Sequence, residues 1–318
     1  EFSHDDFNKL SSLKIKEIKE KIKDKKYGWF EPPSYNKDLI IFGLHGGAQW
    51  PGAALDHYNQ ELYIPTNSVP YKLRIILQSS YANKKDFIDE KNEEIFKIYN
   101  SKCASCHRKN RNGVRVKVAE RSVKNIPSLV GLTLINKNDD YLKNLYKKAH
   151  QNNDKTFDFD EMKILFNDWD QYLVNNKLIR TQTAWSEFLT DDGLPASNPP
   201  WGYIAKLNLE SGSLIWKKPV GKKNINGKFK NIGTEIFGGV ALNKSGILFI
   251  TGTDDNHIYA MDTDNGKIIW DFEMDAAGSA PPIIFEIDGK EYISVLSTGG
   301  QYYSYNKKDS SIYTFAIK

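Results

Sequence analysis

Both cysteines of the 318-residue chain lie three positions apart, and a histidine follows them at once: Cys103-Ala104-Ser105-Cys106-His107. Several chemistries use a Cys-x-x-Cys pair. A structural zinc site needs four ligands, normally from a second Cys or His pair at similar spacing, and the sequence shows no such pair. A disulfide framework needs more pairs than one. A thioredoxin-like redox motif sits in a βαβ context and makes no use of the histidine. Covalent attachment of a c-type haem uses all three residues: the thiols add to the vinyl groups and the imidazole is held against the iron. The spacing therefore marks Cys103 and Cys106 as haem-attachment residues and His107 as the proximal iron ligand, with a lone disulfide as the alternative.

The second axial position is less defined. His150 ends the helix-like run "NDDYLKNLYKKAH", and Met162 lies one turn into the next, "DFDEMKILFNDWDQYLV". Met162 also heads an apolar stripe with Leu165, Phe166 and Trp169, a spacing that suits a helix core as well as an iron ligand. His150 is the preferred distal ligand, Met162 the alternative, and an open sixth position is the third possibility. His45 and His57 read as ordinary surface or core residues.

The elements that must hold this motif fall into segments. Residues 1–37 read as an N-terminal helix and linker, in which Ile15, Ile18 and Ile22 form one stripe among lysines. A surface helix packed by that stripe is preferred to a membrane-surface helix, because the apolar face is small and carries no Trp or Phe. Residues 38–83 read as short strands, 84–178 as helices around the haem motif, and 179–318 as strands again. The last segment repeats itself. "NLESGSLIW" at 208–216 aligns without a gap with "DTDNGKIIW" at 262–270, 54 residues later, pairing Gly212 with Gly266 and Trp216 with Trp270. A repeat of this length built from four short strands is a β-propeller blade, in which the glycine closes a hairpin and the tryptophan wedges between neighbouring blades.

The formal net charge is +4, with lysines interleaved with acids almost everywhere, which argues against a nucleic-acid partner. No run approaches the length of an apolar membrane span, and "EFSHDDF" is not a signal peptide. Haem attachment of this type takes place outside the cytoplasm. The chain is therefore expected to be periplasmic, with an N-terminal part that lies outside it.

With these repeats the sequence resembles the pyrroloquinoline-quinone (PQQ) dehydrogenases, eight-bladed propeller enzymes, in their C-terminal portion. The docking pattern Ala-x-Asp-x-x-Thr-Gly-x-x-x-Trp is similar to "AMDTDNGKIIW", with Asn265 at the Thr position, and to "KLNLESGSLIW", with Lys206, Asn208 and Ser211 replacing Ala, Asp and Thr. The stretches "GGAQWPGAALDHYNQELYIPTNSVP", "DDGLPASNPPWGYIAKLNL", "GGVALNKSGILFITGTDDNHIYAMD" and "AAGSAPPIIFEIDGKEYISVLSTGG" are similar to others of that family, in the same order. The resemblance covers about 30–75 and 180–318. It implies that Asn67 hydrogen-bonds the quinone cofactor, that Asp255 faces it, and that Trp50 and the Phe237-Gly238-Gly239 turn lie near the same cavity. In "IPSLVGL" at 126–132 the sequence resembles class I cytochromes c, where the proline carbonyl accepts a hydrogen bond from the proximal imidazole and fixes its tautomer.

The expected fold is thus mainly β with an α insertion: a partial quinoprotein-type propeller plus an all-α class I cytochrome c-like domain. The resemblance places the catalytic aspartate and the Ca²⁺ ligands in earlier blades, so no catalytic residue is expected in this chain. The missing blades would come from the same or another chain. The expected function is oxidation of a small alcohol or sugar by PQQ, with electrons passing through haem c to a respiratory acceptor, a cytochrome or a quinone. The rivals are an electron-transfer protein on a propeller scaffold that no longer binds quinone, and a structural propeller module.

Overall fold

The computed structural model describes residues 2–35, 37–44, 47–48, 50–80, 93–119, 122–135, 143, 159–300 and 308–317. The chain forms two compact units. The first comprises Glu1–Glu31, Ile40–Lys72 and Ser186–Lys318; the second comprises Pro32–Leu39 and Leu73–Trp185.

In the first unit, one four-stranded antiparallel blade draws strands from both sides of the second unit's segment. Its order is Leu214–Pro219, Gly202–Asn208, Glu61–Asn67, Ala54–Asp56. Residues more than a hundred positions apart are paired here, Ile64 with Ala205 and Asn67 with Gly202. A second blade follows in simple meander order, Ile236–Leu242, Ile247–Thr253, His257–Asp262, Ile268–Glu273. A third sheet contains Ile283–Ile287, Lys290–Gly299 and Lys308–Ala316. The inner strands of the second blade are near-continuous apolar runs because both of their faces are covered. Ile204, Val220, Ile236, Leu248, Ile250, Tyr259 and Met261 form one core across the first two blades, and Phe249, Ile258, Met274, Ile293 and Val295 form another with the third sheet.

The repeated tryptophans sit where one sheet meets the next. Trp216 of the first blade donates its indole N–H to the Thr263 carbonyl of the second at 3.1 Å, and its neighbour Lys206 sends its ammonium to the same oxygen at 3.1 Å. Lys206 fits where the family pattern has alanine because Glu61 pairs with it at 2.9 Å. Asn208 replaces the pattern's aspartate by doing the same work: its side-chain oxygen accepts from Ser211 N, as that of Asp262 accepts from Asp264 N. Trp270 of the second blade meets Phe315 of the third sheet edge-on, with ring centroids 5.1 Å apart.

The helix of the N-terminal stretch, α1 (Ser12–Ile22), is shorter than the charged run suggests; it starts where Ser11 caps it by accepting from Lys14 N. Its stripe is packed: Ile18 and Ile22 are buried with Phe2, Phe7, Ile40 and Phe188.

The second unit contains α2 (Glu93–Ile98), continued by a π-helical turn Tyr99–Cys103, then α3 (Ala104–His107), α4 (Leu132–Ile135) and α5 (Phe159–Asn175). It is not all-α. A β-hairpin, Val114–Ala119 with Ser122–Ile126, stands between the Cys-x-x-Cys-His run and Pro127. The alternation of Val114, Val116 and Val118 with Arg115 and Lys117 is a period of two, which a helix cannot use. The core is where α2 and α5 meet, with Phe96, Tyr99, Cys103, Val130, Met162, Leu165, Phe166, Trp169 and Leu173 buried together.

Candidate functional site

The Cys-x-x-Cys-His run lies on the π turn and α3. Cys103 is buried in the helical core and Cys106 is exposed, both as free thiols. Burial pushes the Cys103 thiol up to about 11. His107 is half-buried, and its Nδ1 lies 3.0 Å from the Pro127 carbonyl oxygen. A carbonyl can only accept, so the imidazole Nδ1 carries a proton in this contact. The loop that allows this is tight. Arg108, at φ 64°, ends α3, and Gly113 N donates to the His107 carbonyl at 3.0 Å. Gly113 has φ +70°, and a Cβ there would stand 2.2 Å from the Ile126 carbonyl oxygen. Only glycine fits both demands.

Behind this loop sits a buried charged pair that no motif or spacing marks. Arg111 and Asp170 are both fully buried and joined by an ion pair of 2.5 Å. Arg111 lies 4.3 Å over the Trp169 ring, and its second terminal nitrogen donates to the Leu129 carbonyl at 3.3 Å. Asp170 also accepts from Gly131 N and from the Thr133 hydroxyl, at 3.0 and 2.9 Å. The only hint was an aspartate on the apolar face of α5, one residue after Trp169.

Of the two distal candidates, His150 lies outside the described residues, as does His45. Met162 is buried in the cluster that holds Cys103. Its neighbours on the stripe, Leu165, Phe166 and Trp169, are buried with it. His57 is exposed on a turn.

In the first unit, the residues that the resemblance assigned to the quinone are largely engaged with protein. Asn67 clips the second blade: its side-chain oxygen accepts from Ile236 N at 2.8 Å, and its amide donates to the Ile236 carbonyl at 3.2 Å. The Asp255 carboxylate accepts from Lys222 N, the Thr253 hydroxyl and the Tyr259 hydroxyl. Gly238 permits a close approach between backbones, since a Cβ there would meet the Gly278 carbonyl oxygen at 2.3 Å. Gly239, at φ +104°, lies against Pro51 and Pro281. Trp50 is 57% exposed and stacks on Phe237 at 5.5 Å, leaving much of its surface open.

A small cavity of about 20 Å³ in this unit is lined by Glu187, Trp201, Lys223, Glu235 and Asp254 among others. It has room for about one water molecule. Lys223 pairs with Asp254 at 2.6 Å, and Tyr71 donates to Glu235 at 2.7 Å. Burial, with the nearby Glu187 charge, holds the Glu235 carboxyl well above the ordinary range. Among the described residues no group of three or more His, Cys, Asp or Glu is placed to hold a metal ion.

The family described as PQQ "Glucose/ethanol/alcohol dehydrogenase, beta-propeller domain" matches residues 1–124 and 131–293. The chain belongs to this family. The quinoprotein glucose dehydrogenase of Escherichia coli (strain K12) is 36% identical over 120 residues, covering 36% of this chain and 15% of that protein. Quinoprotein glucose dehydrogenase A of Acinetobacter calcoaceticus is 33% identical over 120 residues, again 36% and 15%. The aligned stretch thus spans about 15% of the length of these relatives. Among solved structures, the quinohemoprotein alcohol dehydrogenase of Comamonas testosteroni aligns over 86% of this chain and 26% of its own, with TM-score 0.39 and 12% identity. Membership of the PQQ-dehydrogenase propeller family agrees with the blades and docking tryptophans described above, and with the mainly β character of the fold. Among the described residues no helix is long and apolar enough to cross a membrane.

Proposed function

We propose that this chain serves in a periplasmic quinohaemoprotein dehydrogenase that oxidises an alcohol or sugar hydroxyl and passes the electrons to a respiratory acceptor through a c-type haem held in the second unit. The observation that carries the haem reading is the His107 Nδ1–Pro127 hydrogen bond, four residues from Cys103 and one from Cys106. It fixes the tautomer and strengthens Nε2 as a donor to iron. Cys103 and Cys106 would carry the two thioether bonds, with His150, or Met162 in its place, as a second ligand to the iron. A c-type haem supplies a one-electron iron couple, which PQQ-dependent oxidation of a CH–OH group needs twice per turnover.

Within the propeller, this chain contributes walls and staples. The engaged side chains of Asn67 and Asp255 do not by themselves make a donor set for PQQ, and no step is assigned to them. The base and the Ca²⁺ ligands are assigned to other blades. The same observation favours the second reading, a haem carrier on a propeller scaffold that holds no quinone.

The test is maturation of the chain with a cytochrome c assembly system. The expected result is haem that stays with the polypeptide in a denaturing gel and is lost in the Cys103→Ser/Cys106→Ser double variant. Haem that dissociates on denaturation, or persists in the double variant, overturns the assignment. PQQ titration of the matured protein, with its remaining blades supplied, separates the two readings: saturable binding supports the dehydrogenase, and none supports the carrier.

A further inference from the structure

The hydrogen bond that orients His107 ends on a carbonyl, and a carbonyl is only as well placed as the segment that bears it. Pro127 has no N–H with which to anchor itself. The residues after it are anchored instead, almost one by one, to the buried pair. Leu129 N donates to the Arg111 carbonyl at 2.8 Å, and the Arg111 guanidinium donates back to the Leu129 carbonyl at 3.3 Å. The Ser128 hydroxyl reaches the Arg111 carbonyl at 3.3 Å and the Leu77 carbonyl at 2.6 Å. Gly131 N and the Thr133 hydroxyl both donate to Asp170. One end of this clamp is the α5 helix, through Asp170. The other is the loop that leaves His107, through Arg111.

We propose that the buried Arg111–Asp170 pair is a positioning device for the proximal imidazole, fixing residues 127–133 so that the Pro127 carbonyl holds the His107 Nδ1 proton and sets the ring's orientation and basicity. The proposal rests on the haem reading above for its consequence at iron, but its geometric core concerns the polypeptide alone. Burying two charges is costly, and a pair of well-packed apolar residues often serves stability as well or better. An ion pair whose side chains make three further hydrogen bonds to one short segment has a use that an apolar pair cannot copy: it fixes where that segment's carbonyls point. A stronger hydrogen bond at Nδ1 makes the imidazole a better donor and favours the oxidised iron; a loosened one does the opposite.

Two substitutions separate this from simple electrostatics. Asp170→Asn deletes a negative charge and Arg111→Gln a positive one, so through space they shift the haem midpoint potential in opposite directions. Through the Pro127 carbonyl both loosen the same hydrogen bond, and both raise the potential. The expected result is an upward shift in both variants, together with faster exchange of the His107 Nδ1 proton in nitrogen-15 NMR spectra. Shifts of opposite sign, or an unmoved potential with an unchanged Nδ1 resonance, overturn the proposal while leaving the haem assignment intact. If either variant fails to fold, Ser128→Ala keeps the ion pair and removes only the hydroxyl's ties to the Arg111 and Leu77 carbonyls and to Val130 N, and a smaller upward shift is expected. The NMR measurement is also made on the protein before haem attachment. There, a His107 Nδ1 proton that is retained in wild type and labile in Asp170→Asn supports the positioning role even if no haem is ever attached, whereas equal lability in both overturns it.

Discussion

The loop around His107 and the Asn67–Asp255 region of the propeller use polar groups in opposite ways. Around His107 the two cysteines form no disulfide and the imidazole is turned by its Nδ1 bond to the Pro127 carbonyl, while the supporting polar groups are buried one layer behind. Around Asn67 and Asp255 the polar atoms bond neighbouring strands: Asn67 fastens one blade to the next, and Asp255 ties its own blade to the hairpin that begins at Lys222. The difference teaches that a residue type in a motif states an ability, and that the local hydrogen-bond inventory decides whether it remains available. The most severe way to break the comparison is to strip the support from the first site. Asp170→Ala leaves the Arg111 guanidinium buried without its counter-charge, and a loss of about 3–5 kcal/mol in urea unfolding of the second unit is expected. Replacing both partners together, as Arg111→Met/Asp170→Leu, should recover most of that stability. If the double variant is as unstable as the single one, packing rather than charge explains the loss.

The corresponding cut in the propeller is Asn67→Ala. It removes both hydrogen bonds to the Ile236 backbone and leaves that N–H without its acceptor. A cost of about 1–3 kcal/mol is expected, the range for an unpaired buried group. The informative condition is the absence of PQQ. Loss of a fastener lowers stability there, whereas loss of a residue that serves only the cofactor does not, so an unchanged unfolding midpoint without PQQ would favour the donor role.

How much of this was legible in the sequence depends on the distance over which each signal acts. The 54-residue repeat and the docking tryptophans were legible, because a blade's turns and strands are local patterns that recur in register. The proximity of His107 to Pro127 was legible only through resemblance, since twenty residues separate them and a hairpin intervenes. That hairpin was itself written in the alternating valines of 114–118, yet the nearby helical patterns outweighed it. Arg111 and Asp170 lie 59 positions apart, and Arg111 alone looks like an ordinary surface charge. No periodicity predicts which charges a fold will bury together. The protein partners of Asn67 and Asp255 were illegible for the converse reason: Ile236 and the backbone of Lys222 come from chain 169 and 33 positions away, and a motif does not show what occupies a side chain's lone pairs.

The smallest effect sharpens the comparison within the propeller, at its two tryptophans. They hold equivalent positions in the repeat, yet Trp216 has an indole N–H bonded to the Thr263 carbonyl and packs beside Tyr63, with centroids 6.0 Å apart, whereas Trp270 is 38% exposed and meets Phe315 by its ring alone. Trp216→Phe keeps an aromatic wedge and deletes the donor. Thr263 still accepts from Lys206, so its oxygen is not orphaned, and the cost should stay near the net worth of one hydrogen bond, about 0.5–1.5 kcal/mol. Trp270→Phe deletes a half-exposed indole edge and should cost less. Measured by thermal unfolding of the two variants in parallel, a larger loss at 216 than at 270 is the expected order. The reverse order would mean that the ring contact with Phe315, rather than the shared Thr263 carbonyl, is the stronger fastening between successive sheets.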